Sequence, residues 1–139
     1  MVYVIDQQAE HACERLAIAS YSLMDQGRYE ETAALFTEDA TWVRGGKAVV
    51  GRAGILASLN QRPNTDISRH LVTNVLVHLV SADDAEATAC FVPLRGARRE
   101  DGTVAMPPIT NAGDLAFRFR READGWRISH LRPTMIFKP

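Results

Sequence analysis

The sequence lacks the features of a membrane-spanning or nucleic-acid-binding protein. No apolar run approaches the roughly 18 residues that a transmembrane helix needs. Lysine and arginine total 16 against 17 acidic residues, so the net charge of −1 offers no basic field for nucleic acid or anionic lipid. We therefore expect no nucleic-acid partner and no membrane contact. Residues 1–6 have no basic segment of the kind that opens a secretory signal, and we expect a cytoplasmic protein.

Cysteine and metal-binding motifs are equally scarce. The two cysteines, Cys13 and Cys90, form no CxxC pair, and we predict that both are reduced and buried. The four histidines show neither HxH nor HExxH spacing, so we predict no metal site. There is also no phosphate-binding loop, no GxSxG motif and no dinucleotide fingerprint. These absences favour a protein that works without a cofactor.

What is present is a chain that can build one hydrophobic core. The 139 residues are 46% hydrophobic, which suits a single domain spanning 1–139. Neither an internal repeat nor a low-complexity linker divides it.

Helical patterns fill the first part of the chain. Residues 7–26 repeat buried-type side chains at helical spacing, with Gly27 as the terminating glycine. Residues 29–36 and 52–61 predict a second and a third helix. Between them, Glu38 and Asp39 predict a turn, residues 41–43 a strand, and residues 47–50 its hairpin partner.

Strand patterns fill the second part. Residues 69–80 contain Leu, Val and Thr without Gly or Pro, and residues 86–95 form the next strand. Residues 98–110 predict a long loop, and residues 111–121 and 126–137 a final hairpin. Helices followed by antiparallel strands favour an α+β fold, with three N-terminal helices on one face of a curved, mostly antiparallel sheet.

Four motifs in this order resemble those of SnoaL-like domains in the NTF2-like superfamily. They are residues 25–29 followed by 34–42, Gly51-Arg52, residues 69–74 (RHLVTN), and residues 124–128 (DGWRI). The resemblance covers nearly the whole chain. It implies a cone-shaped pocket between helices and sheet that receives a small hydrophobic or aromatic molecule.

Within that superfamily the chain is similar to scytalone dehydratase, bile-acid dehydratase and hexachlorocyclohexane dehydrochlorinase. Their catalytic aspartate falls on Asp25 and their catalytic histidine on His70, and a basic residue of the last strand of scytalone dehydratase falls on Arg132. The resemblance implies a cofactor-independent lyase, dehydratase-like, for a cyclic, aromatic or polyketide-like molecule. A further histidine of scytalone dehydratase, near Ala112 here, is absent, which argues against scytalone as the substrate.

Each candidate residue also has a purely structural interpretation. Asp25 lies on the helix stripe of Tyr21, either as a site carboxylate or as an Asx turn before Gly27. His70 alternates with Val72, Asn74 and Leu76 along one strand face, either as a general base or as a core histidine. The following residues are candidates for substrate binding: Tyr21, Trp42, Asn74 and Arg132. Tyr21 and Trp42 could equally belong to the core. Arg44 or Arg132 could bind an anion or remain exposed to solvent.

Other functions of the same fold stay open. The segment 69–74 also resembles the β subunits of ring-hydroxylating dioxygenases, which implies a non-catalytic partner subunit or a small-molecule-binding protein. Isomerase or cyclase chemistry would use the same pocket. Ketosteroid isomerases fit poorly, because the position of their carboxylate base falls on Arg44.

The long strand also predicts assembly. If His70 faces the pocket, simple alternation sends Leu71, Val75, Val77 and Leu79 to the opposite face. An apolar sheet face needs cover. We therefore expect a homodimer or homotrimer formed through the sheet.

Overall fold

The computed structural model describes residues 6–139, with three helices and six strands. The helices are α1 (Gln7–Asp25), α2 (Tyr29–Ala34) and α3 (Arg52–Asn60). The strands are β1 (Phe36–Arg44), β2 (Lys47–Val50), β3 (Asp66–Leu79), β4 (Asp84–Ala97), β5 (Ala112–Glu122) and β6 (Gly125–Phe137). None of the helices in this described range is long and apolar enough to cross a membrane.

Helix α1 begins and ends at residues that suit its termini. The side chain of Asp6 accepts a hydrogen bond from the Ala9 amide at 3.0 Å and caps the first turn. The helix stops at Asp25, and Gly27 then takes a left-handed backbone with φ of 75°. The predicted role of Gly27 is confirmed. This ending fixes Asp25 at the last turn of the helix.

The six strands form one curved, open sheet in the order β2-β1-β6-β5-β4-β3. All neighbouring pairs are antiparallel except β1 and β6, which run parallel. The predicted α+β class and mostly antiparallel sheet are confirmed. Helix α1 packs chiefly against β3, and we call the helix-covered side of the sheet its inner face and the opposite side its outer face.

The inner face carries the core. Alternate residues of the central strands are buried against the stripe of α1, as expected for a sheet with one covered side. The largest fully buried side chains on β1 and on the last two strands are Phe36, Trp42, Leu115, Phe117, Phe119, Ile128 and Leu131.

Strand β1 is longer than the sequence pattern indicates. The predicted helix over 29–36 ends at Ala34, and Phe36 already belongs to the strand. The predicted turn at Glu38 and Asp39 is wrong, because both residues lie inside β1 with exposed side chains. They fall where the pairing with β6 shifts register, between Phe36 and Thr41. The local turn preference therefore produces an irregularity within one strand, paired on both sides, rather than a break between two elements.

Strand β3 changes the faces of its side chains halfway along. Its pairing with β4 shifts register between Thr73 and Leu76, and Asn74 there has a φ of 56°. Before this bulge His70 lies on the inner face and Leu71 on the outer one. After it, the three residues predicted to face outward pack on the core instead: Val75, Val77 and Leu79. That part of the prediction is wrong, and Leu76 is the residue that points outward, 69% exposed.

The predicted burial of both cysteines is half right. Cys13 is buried in α1, where desolvation raises the pKa of its thiol to about 12. Cys90 is exposed. It pairs with Thr73 across β3 and β4 on the outer face, where no helix covers it.

Candidate functional site

Asp25 and His70 are in direct contact. Asp25 stands at the last residue of α1, over the first part of β3. Its Oδ1 lies 2.7 Å from His70 Nδ1, and its Oδ2 accepts a hydrogen bond from the His70 backbone amide, also at 2.7 Å. The two side chains are therefore within hydrogen-bond distance of each other. The Asp25 carboxylate thus contacts both the ring and the main chain of His70.

This contact determines which nitrogen of the imidazole is free. An ionised carboxylate can only accept hydrogen bonds, so the proton on neutral His70 belongs on Nδ1. Nε2 then carries the available lone pair. The His70 side chain keeps 14% of its surface exposed, against 7% for Asp25. The imidazole is therefore the more accessible member of the pair.

Asp25 is held in its charged form. Burial alone would raise the pKa of this carboxyl, but hydrogen bonds from His70 and Ser68, together with the His70 charge, bring it below the ordinary value. Asp25 is consequently a carboxylate at neutral pH. It can stabilise a positive charge on the ring beside it.

Ser68 and Arg62 extend the contact into a network. Ser68 is buried and donates from Oγ to Asp25 Oδ1 at 2.7 Å. The same Oγ accepts from Arg62 Nη2 at 2.6 Å, while Arg62 Nη1 donates to the Met24 carbonyl at 3.2 Å. Sequence reasoning missed both residues. The available signal for Ser68 was its position two residues before His70, which places both on one strand face.

Aromatic rings surround the imidazole. The Tyr21 ring centroid lies 4.8 Å from that of His70, and Phe91 stacks on the imidazole at 6.5 Å. Trp42 meets Tyr21 edge-on at 5.8 Å. Burial raises the pKa of Tyr21, so its phenol stays protonated at neutral pH. Tyr21 therefore adjoins the pair, Trp42 lies one ring further away, and Phe91 is a neighbour that the sequence did not reveal.

Two predicted substrate-binding residues are not brought to this place. Asn74 is exposed at the bulge of β3, and the alternation that placed it beside His70 is broken there. Arg132 is exposed next to buried Leu131 and pairs with Ala116 on the outer face. The sheet separates Arg132 from His70, which corrects the position that the resemblance implied. On that outer face, burial and the charges of Arg118 and Arg132 lower the pKa of His130.

Several solved structures share this fold at low sequence identity. A hexachlorocyclohexane dehydrochlorinase (LinA-type3) from Novosphingobium barchaimii is 22% identical, with a TM-score of 0.75 over 91% of this chain and 86% of its own. An NTF2-like protein with a cystatin-like fold from Novosphingobium aromaticivorans is 22% identical, with a TM-score of 0.74 over 93% and 82%. ActVI-ORFA from Streptomyces coelicolor is 19% identical, with a TM-score of 0.73 over 91% and 96%.

At these identities the structures establish the fold alone. Comparison with curated protein sequences finds no match. Among residues 6–139 no group of three or more His, Cys, Asp or Glu side chains is placed to hold a metal ion.

The SnoaL-like domain family, in contrast, matches residues 7–132. Since that match covers most of the chain, the protein belongs to the SnoaL-like family.

Proposed function

We propose that the protein is a cofactor-independent lyase, dehydratase-like, in which His70 is the general base and Asp25 orients it. The substrate class is a small cyclic, aromatic or polyketide-like molecule. The observation that carries this proposal is the 2.7 Å contact between Asp25 Oδ1 and His70 Nδ1, which leaves Nε2 free beside aromatic rings.

The elimination needs one group that can both take and return a proton. His70 Nε2 removes a proton from carbon next to a carbonyl or an aromatic ring, and the electron pair of that C–H bond forms the new double bond. The bond from the neighbouring carbon to oxygen breaks, and the imidazolium returns its proton to the departing hydroxyl as water. Histidine suits both steps because its ordinary pKa lies near neutrality.

Asp25 and Tyr21 supply the remaining roles. The carboxylate of Asp25 stabilises the imidazolium while the ring holds the substrate's proton. We propose that the protonated phenol of Tyr21, whose ring adjoins the imidazole, donates a hydrogen bond to the leaving oxygen or to the activating carbonyl. The dehydrochlorinase among the solved neighbours is named for an elimination of this class, and that name supports the proposal.

The test is an elimination assay on small β-hydroxy ketones and β-hydroxy aryl compounds, followed by NMR in deuterated water. We expect His70→Ala to lower turnover on the order of 10²- to 10⁴-fold. Asp25→Asn should also lose activity, because an amide does not stabilise the imidazolium. The double variant should be little worse than either single one, since the two residues act as a unit.

His78→Ala is the matched control. This second histidine lies on the same strand, exposed on the outer face and paired with Glu86 at 3.3 Å. Its removal should leave turnover unchanged. Equal turnover of the wild type and His70→Ala would exclude the lyase mechanism. A larger iron-containing protein that co-purifies with an inactive chain would instead favour the dioxygenase-subunit alternative.

A further inference from the structure

The guanidinium of Arg44 lies on the inner face near the site and forms no ion pair with a carboxylate among residues 6–139. Arg44 is the last residue of β1, two positions after Trp42 and on the same strand face. Its guanidinium carbon stands 4.9 Å from the centroid of the Trp42 ring. Its Nη1 is buried, and no hydrogen-bond partner for that atom exists among residues 6–139. One nitrogen of the guanidinium is thus shielded from water and donates no hydrogen bond within residues 6–139.

The charged groups that act on Arg44 are themselves cations. They are Arg62 and Arg95, and the other groups among residues 6–139 that act on it are the phenols of Tyr21 and Tyr29. Asp25, linked to Arg62 through Ser68, and Asp66, beside Arg95, are already engaged. Asp25 accepts from His70 and Ser68, and Asp66 pairs with Arg95 at 2.9 Å.

Arg44 therefore carries a positive charge that no carboxylate among residues 6–139 neutralises. Desolvation, followed by repulsion from Arg62, lowers the pKa of Arg44, yet a guanidinium remains protonated at neutral pH. A buried charge that lacks a partner destabilises the protein that carries it. An arriving carboxylate would satisfy the free donor and offset the repulsion between the cations. The planar fork of arginine matches a carboxylate closely.

We propose that Arg44 binds a carboxylate of the ligand, so that the protein takes small aromatic or cyclic acids. That the ligand's reacting carbon lies at His70 rests on the proposed function. Carboxylate binding at Arg44 does not depend on that function. Trp42 lies beneath the guanidinium, and Tyr21 touches both Trp42 and His70. An acid held at Arg44 would therefore bind at one end of an aromatic cluster whose other end contacts His70.

The experiment compares acids with neutral isosteres by isothermal titration calorimetry at pH 7 and constant ionic strength. The probes are benzoate and 1-naphthoate, each against its carboxamide. The wild type should bind the acid about 10- to 100-fold more tightly than the amide, the range for a hydrogen bond to a charged group. Arg44→Gln should abolish this preference, and Arg44→Lys should keep part of it, because it retains the charge without the fork.

Two further variants make the result specific. Arg132→Gln removes a cation of the outer face and should leave the preference intact. His70→Gln should also leave it intact, so acid binding and elimination fail independently. The proposal is overturned if neither acid binds saturably at millimolar concentration, or if acid and amide bind equally. It is also overturned if Arg44→Gln, shown by circular dichroism to be folded, retains the preference. Should Arg44→Gln not fold, an unaltered acid affinity in Arg44→Lys overturns it.

Discussion

At the scale of single residues, Asp25 ties a helix end to a strand through three hydrogen bonds. It accepts from the His70 ring, from the His70 amide and from Ser68, with each contact at 2.7 Å. Removing such an acceptor leaves buried donors without a partner, which costs more than the bonds themselves contribute. The carboxylate therefore affects stability as well as the proposed chemistry.

We expect Asp25→Asn to lower the free energy of unfolding by about 1–3 kcal/mol at pH 5. The folded-state pKa of Asp25 lies below the ordinary value of an aspartate side chain. A depressed carboxyl pKa stabilises the folded state above the unfolded value, and that stability is lost as the pH falls through the folded value. The difference between wild type and variant should therefore narrow between pH 5 and pH 3. Urea unfolding across this range measures it.

Glu14→Gln is the matched control for this experiment. Glu14 lies exposed on the same helix, and the same change of carboxylate to amide there should shift stability by no more than about 0.5 kcal/mol at any pH. If the difference in free energy of unfolding between the wild type and Asp25→Asn stays constant down to pH 3, the charge of Asp25 does not stabilise the folded state as stated.

At the scale of elements, the bulge of β3 decides which residues share the site. Asn74 holds a left-handed backbone, where asparagine is tolerated and branched side chains are not. The register shift there keeps His70 inward and turns the apolar residues that follow it onto the core. Without this extra residue, the second half of the strand would present its apolar side chains to solvent.

We expect Asn74→Val to destabilise the protein by about 1–2 kcal/mol, the cost of a left-handed conformation for an ordinary residue. Asn74→Gly should be close to neutral, because glycine adopts this backbone freely. Thr73→Val, one residue earlier and exposed in regular strand, is the control and should change little. Urea denaturation of the three variants decides the matter. An undiminished stability of Asn74→Val would show that the bulge is not constrained.

At the scale of the whole molecule, the outer face of the sheet carries exposed apolar side chains that none of the helices α1 to α3 covers. Leu71 is 50% exposed, Leu76 is 69% exposed and Ile136 is 54% exposed. We propose that a second copy of the chain provides the cover, as a homodimer or homotrimer. This is the expected arrangement, although Leu76 and Ile136 replace the valines of β3 that were first assigned to this face.

The corresponding prediction is that Leu76→Glu dissociates the assembly at micromolar concentration. A charge placed in an apolar contact is desolvated without a partner. Ile18→Glu is the control, because Ile18 is an exposed apolar residue of α1 away from the sheet. Light scattering after size-exclusion chromatography reports the mass. A monomeric wild type would contradict the proposal, as would equal dissociation by both variants.

Much of the fold was predictable because its determinants are local. Helical spacing and Gly27 located α1, and long runs of strand-forming residues located β3 to β6, with boundaries off by a few residues at most. The family motifs aligned Asp25 and His70 with known catalytic positions. The order of helices before strands was enough to indicate the α+β class.

The tertiary structure alone decided how distant segments meet. Pairing with β6 on both sides of Glu38 and Asp39 enclosed these residues in one strand as an irregularity, and one left-handed residue at Asn74 reversed the faces of β3 beyond it. Side-chain alternation predicts faces only while the register is unbroken, and a bulge depends on the partner strand. The pairing of β5 with β6 likewise placed Arg132 on the outer face. The bridge from Arg62 through Ser68 to Asp25 joins residues up to 43 positions apart, and no local pattern encodes such a contact.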